Sequence, residues 1–174
     1  GFSLIYFCVT LGNWRSLEIL FSEAKKRDII VDLYNYDKCD EKKFHLLYNV
    51  VTWQYQFSSE DYLEEGYYFG NEKDYTKVLE ILVKEGGADL EHVPVLDEDF
   101  TMTALQHLCS PSPHKISKIM IKKCIELGAN VNASNRVTPL YYAIVSNSLT
   151  LVKLLIEAGA DTRLISLGET PREI

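Results

Sequence analysis

The sequence predicts an all-α protein, a helical repeat solenoid of about four full units and the start of a fifth, and three observations predict it. A short turn, Leu127-Gly128-Ala129-Asn130-Val131-Asn132, returns as Ala158-Gly159-Ala160-Asp161-Thr162 at a spacing of 31 residues. Each copy follows an apolar stretch with helical spacing. The clearest unit also opens on Thr138-Pro139, with Thr placed to cap a helix and Pro at the first helical position, where its missing N–H costs nothing.

Taken in chain order, the opening stretch Phe2 to Val9 reads as a buried helix: it lacks the basic lead and small-residue cleavage pattern of a signal peptide. The next clear helical stretch carries Val78, Leu79, Ile81, Leu82 and Val83 and ends on Glu85-Gly86-Gly87-Ala88-Asp89, a turn copy with one extra glycine. Ile119, Met120, Ile121, Cys124 and Ile125 precede the turn at Gly128, and Leu151, Val152, Leu154, Leu155 and Ile156 precede the turn at Gly159. A glycine just past the last helical turn accepts the left-handed backbone that satisfies the orphan carbonyls. The cap signal recurs more weakly at Thr103-Ala104-Leu105-Gln106-His107-Leu108 and at Thr170-Pro171, spacings of 35 and 32 from Thr138. The unit from Thr138 to Asp161 is expected to form two antiparallel helices joined near Asn147.

On these residues the chain resembles the ankyrin repeat family, with its unit of about 33 residues and T-P-L-H-x-A signature. Asn135 to Asp161 is the strongest match, while Tyr141 and Gln106 stand where the signature has His, and Arg136 where Gly usually precedes Thr-Pro. Laid on the same template, Ser3 to Leu11 and Leu17 to Phe21 form a first helix pair with Gly12-Asn13 in its turn. A second pair starts near Phe44 to Tyr48 and resumes at Tyr75 to Lys84. The connection inside that second unit, at about 51–74, is far longer than the 2–8 residues usual between packed helices and reads as an insertion within one repeat domain spanning 1–174.

Composition narrows the function. With 47% hydrophobic and 25% charged residues the chain is ordinary for a globular protein, and no apolar run approaches the roughly 20 residues of a membrane span. A net charge of −7 argues against nucleic acid, which needs clustered Lys and Arg. Glu60 to Asp99 holds 13 acidic against 3 basic residues, a net of −10, which leaves the remainder of the chain at about +3. Four cysteines without paired spacing point to reduced thiols and an intracellular setting, cytoplasmic or nuclear, or the host cell for a secreted effector. No phosphate loop, dinucleotide fingerprint, zinc-protease helix or nucleophile elbow is present, so no enzyme, metal site or cofactor is expected.

The resemblance implies a protein-binding module, monomeric, whose ligand touches the projecting loops and the first helix of each pair. Carried onto this sequence, those positions include Glu91, His92, Asp97 and Asp99, then Asn132, Asn135 and Arg136, then Arg163, with His107 and Tyr142 from first helices. Aromatic content adds a second candidate surface. Nine of the twenty aromatics fall between Tyr48 and Tyr75, and Trp53, Tyr55, Tyr62, Tyr67 and Tyr68 among them are offered as anchors for a partner with a basic face. Three alternatives stay open: the chain is the recruitment or regulatory segment of a larger enzyme, a microbial or viral protein aimed at host factors, or a structural spacer with no partner of its own.

Overall fold

The computed structural model describes residues 3–37, 42–56, 70–93, 102–111, 117–134 and 137–163, without the side chains of 35–37, 42–44 and 52–56. Contacts divide the chain into two compact units, Gly1–Leu90 and Glu91–Ile174.

In the first unit α1 (Leu4–Thr10) starts where the Ser3 hydroxyl accepts the Tyr6 N–H at 3.1 Å, so an orphan donor of the first turn is satisfied. The chain reverses through Gly12 at φ 67°, and Asn13 caps α2 (Trp14–Lys26) by accepting the Ser16 N–H. The apolar stripe of this pair, Val9, Leu17 and Phe21, is fully or nearly fully buried. A hairpin absent from the sequence expectation follows: β1 (Tyr34–Asp37) runs antiparallel to β2 (Lys42–His45), with Tyr34 opposite His45. It adds a small sheet to a helical fold and delivers the chain into α3 (Leu46–Gln56), which packs on α1.

Helix α4 (Glu72–Lys84) packs on α2 and α3 and opens on a reciprocal cap: Asn71 accepts the Lys73 and Asp74 N–H groups, and Asp74 accepts that of Asn71. Because α3 runs to Gln56 and α4 begins at Glu72, the segment expected as an insertion gives its first six and last three residues to helices. Gly70 joins the turn of the first pair: its N–H donates to the Leu11 carbonyl at 2.8 Å, and a Cβ there would lie 3.0 Å from the Gly12 Cα. Neither position has room for a side chain. The Tyr75 hydroxyl donates to the Thr10 carbonyl at 2.5 Å, and the Trp14 indole N–H donates to Asp74 at 3.2 Å. The extra glycine in the turn after α4 also has a cause. A Cβ on Gly86 would sit 2.7 Å from the Leu82 carbonyl and 3.1 Å from the Phe21 ring, which the other turns do not have to accommodate.

In the second unit α5 (Ala104–Cys109), capped by Thr103, packs on α6 (Lys118–Glu126) and on α7 (Pro139–Val145). Helix α7 pairs with α8 (Leu149–Glu157) through a turn at Asn147, φ 51°, as the sequence indicated. Thr138 caps α7 by accepting the Tyr141 N–H. Leu105, Leu108, Met120, Ile121, Leu140, Leu151 and Leu155 form the core, with Cys109 and Cys124 buried among them as small hydrophobes. The expected fifth unit at Thr170-Pro171 lies outside the described residues.

Candidate partner-binding surface

In the second unit, polar side chains at one repeated position bond to the backbone of the turns after α6 and α8. Glu91, Asn132 and Arg163 each stand three residues after the turn alanine, at Ala88, Ala129 and Ala160. A Glu91 carboxylate oxygen accepts the Asn130 N–H at 2.8 Å. One turn later the Asn132 amide oxygen accepts the Asp161 N–H at 2.8 Å, and its amide nitrogen donates to the Gly159 carbonyl at 3.2 Å. Both residues were expected as partner contacts, and the structure employs them to fix the spacing of the turns. Arg163 ends the row: its guanidinium forms two hydrogen bonds to Asp161, at 3.0 and 2.8 Å, while its side chain stays 87% exposed. That pairing holds the Asp161 carboxyl at about 2, below the usual carboxylate range.

Gln106, which replaces the signature histidine, makes a second tie. Its carbonyl oxygen accepts the Thr103 N–H at 2.8 Å, and its amide donates to the Ala133 and Val137 carbonyls at 3.2 and 2.6 Å. A buried amide therefore spans the cap of one helix and the loop leading to the next pair. His107 beside it is largely enclosed, and burial pushes its imidazole down to about 4, so it is neutral at pH 7.

Tyr142 is half-buried in edge contact with the exposed Tyr141, ring centres 6.1 Å apart, and His92 is also half-buried. Trp53 and Tyr55 lie on α3, but their side chains are outside the described set, as are Tyr62, Tyr67, Tyr68, Asp97, Asp99, Asn135 and Arg136 altogether. The ladder residues were missed as structural elements because a solvated loop carboxylate and a bridging one look identical in sequence. The one signal available was that Glu91, Asn132 and Arg163 share a repeat position.

Chemistry has little to work with among the described residues. No group of three or more His, Cys, Asp or Glu side chains there could hold a metal ion. Burial raises the Cys8 thiol and lifts that of Cys124 to about 12, far from a reactive thiolate. No described helix is long and apolar enough to cross a membrane.

The comparisons with known proteins follow the same lines. No curated protein matches the sequence. Among solved structures 82 chains match, one of them the crystal structure of the ankyrin repeat domain of Bcl-3, described as a unique member of the IkappaB protein family. It is 19% identical, has a TM-score of 0.52, and the alignment covers 97% of this chain and 76% of that one, a likeness of fold. The family model described as ankyrin repeats in three copies matches residues 69–165, which is more than half of the sequence. This chain therefore belongs to the ankyrin repeat family.

Proposed function

We propose that the chain binds a protein with a basic surface, using the projecting edge of its repeats together with the aromatic, acidic segment between α3 and α4. Ankyrin repeats are generally protein–protein interaction modules. The observation that carries the reading is the row of ties from Glu91 to Asn130 and from Asn132 to Asp161. Turns held at fixed spacing present their outer side chains already ordered, which lowers the entropy cost of binding. His92, Tyr142 and Arg163 are the described contact positions on that edge, and Trp53 and Tyr55 on α3, with Tyr62, Tyr67 and Tyr68 in the acidic segment after it, supply anchors. Free, buried Cys109 and Cys124 fit a reducing, intracellular compartment. The acidic balance sets the chain against nucleic acid.

The test is affinity capture followed by surface plasmon resonance on the recovered partner at two salt concentrations. Neutralising Glu60, Asp61, Glu64 and Glu65 together is expected to slow association, most strongly at low salt. Arg163→Glu and Tyr142→Ala are expected to speed dissociation. Unchanged kinetics in all three variants would remove both surfaces from the reading.

A further inference from the structure

Of the helices that open a repeat pair, α1, α5 and α7 start on a hydroxyl and α3 does not. Ser3, Thr103 and Thr138 stand immediately before the first three, and each accepts a first-turn N–H through its side-chain oxygen. Immediately before α3 stands His45, whose ring nitrogen Nδ1 accepts the Leu47 N–H at 3.1 Å. The adjacent Leu46 N–H donates to the Leu33 carbonyl at 2.8 Å, so the two bonds together fix where α3 leaves the hairpin. A hydroxyl accepts at any pH near neutrality, but an imidazole nitrogen accepts only while it carries no proton. Among these four helix starts, His45 is the cap that acid can remove.

The imidazole is only 5% exposed, and the Tyr34 ring packs against it edge-on with ring centres 5.0 Å apart. Strand β2 packs on β1 and α3, whose titratable residues are Tyr34, Tyr36 and Asp37 on the strand and Tyr48 and Tyr55 on the helix. Lys42 and Lys43 belong to β2 itself, and Asp32, before β1, uses its carboxylate to accept the Tyr34 N–H at 2.9 Å. A proton on Nδ1 replaces the acceptor by a donor aimed at the Leu47 N–H, and it sets positive charge at the positive end of the α3 dipole. Inside the fold that charge has also lost its water. One movement relieves all three costs: the ring leaves its buried place and the first turn of α3 opens.

We propose that His45 is a proton-operated latch on α3. Neutral, it caps the helix and holds it to the hairpin; protonated, it frees the first turn. Because the folded cap excludes a proton that the unfolded chain takes up, its contribution is present at neutral pH and is lost as pH falls through the histidine range. Helix α3 packs on α1 and α4 and runs to Gln56, so the latch acts on the packing of the whole first unit. The device goes beyond the partner-binding reading above and stands without it.

Urea unfolding followed by tryptophan fluorescence tests it, since both tryptophans, Trp14 and Trp53, belong to the first unit. The wild type is compared with His45→Thr, which installs the cap that α5 and α7 already use. Between about pH 7.5 and about pH 5 the wild type is expected to lose roughly fivefold in its folding equilibrium relative to the variant, the worth of one helix cap. His107 lies in the other unit and is common to both proteins, so it cancels in the comparison. A difference between the two proteins that stays constant with pH overturns the proposal. Nuclear magnetic resonance on the wild type alone, labelled with nitrogen-15 at leucine, gives a second reading. The Leu47 amide resonance is expected to move with the same midpoint as the His45 ring resonances. A Leu47 amide that stays still over this range overturns the latch, whether or not the variant folds.

Discussion

The two units hold successive helix pairs together by different means. In the first, the ties are aromatic groups with polar tips and a pair of glycines: Trp14 to Asp74, Tyr75 to Thr10, and Gly12 against Gly70. In the second they are amides and a carboxylate bonding to backbone, Gln106 on α5 and Glu91 and Asn132 on turns. Both satisfy backbone groups that would otherwise face an incomplete partner set. The difference shows that a repeat can lose its signature residues and keep its packing, provided that some side chain near the turn still reaches the next backbone.

The largest expected effect lies in the part both units share, the apolar core. Leu155→Ala, at a fully buried position, should cost roughly 2–5 kcal/mol, read by urea unfolding; wild-type stability would mean that the buried face has been misassigned. Gln106→Leu should follow at about 1–3 kcal/mol, because it leaves the Thr103 N–H and two carbonyls without their partner. Tyr75→Phe, which removes one hydrogen bond to Thr10 and keeps the ring, should cost only about 0.5–1.5 kcal/mol. If the two polar variants proved equal, the contrast between a three-way and a one-way tie would collapse.

A further effect separates the units by pH. Burial lowers the His107 pKa from 6.5 to about 4, so the unfolded chain binds more protons than the folded one between those values. Its contribution is therefore fully present above pH 6.5 and is lost as pH falls toward 4. His107→Gln should flatten the stability profile in that window, measured as the urea midpoint at a series of pH values. An unchanged slope would place the acid sensitivity elsewhere.

Much of this fold was legible in the sequence. Thr138-Pro139, Thr103 and the glycines of the turns marked helix starts and stops because caps demand particular chemistry. The hairpin was not read, although Tyr34-Asn35-Tyr36-Asp37 and Lys42-Lys43-Phe44-His45 are short and their pairing depends on the register that only tertiary contacts fix. The surface was less legible still. Glu91 and Asn132 lie in loops as the spacing indicated, but a side chain's choice between a partner and the next turn depends on a distance of about 3 Å that no spacing reveals.

The lock between Gly12 and Gly70 bears on how this gene can change. The Gly70 N–H is bonded to the Leu11 carbonyl, and a Cβ at Gly12 or Gly70 would crowd the backbone of the other. A mutation at either codon that adds a side chain meets the backbone of the other, so the two glycines are inherited as a pair while exposed helix positions around them are free to drift.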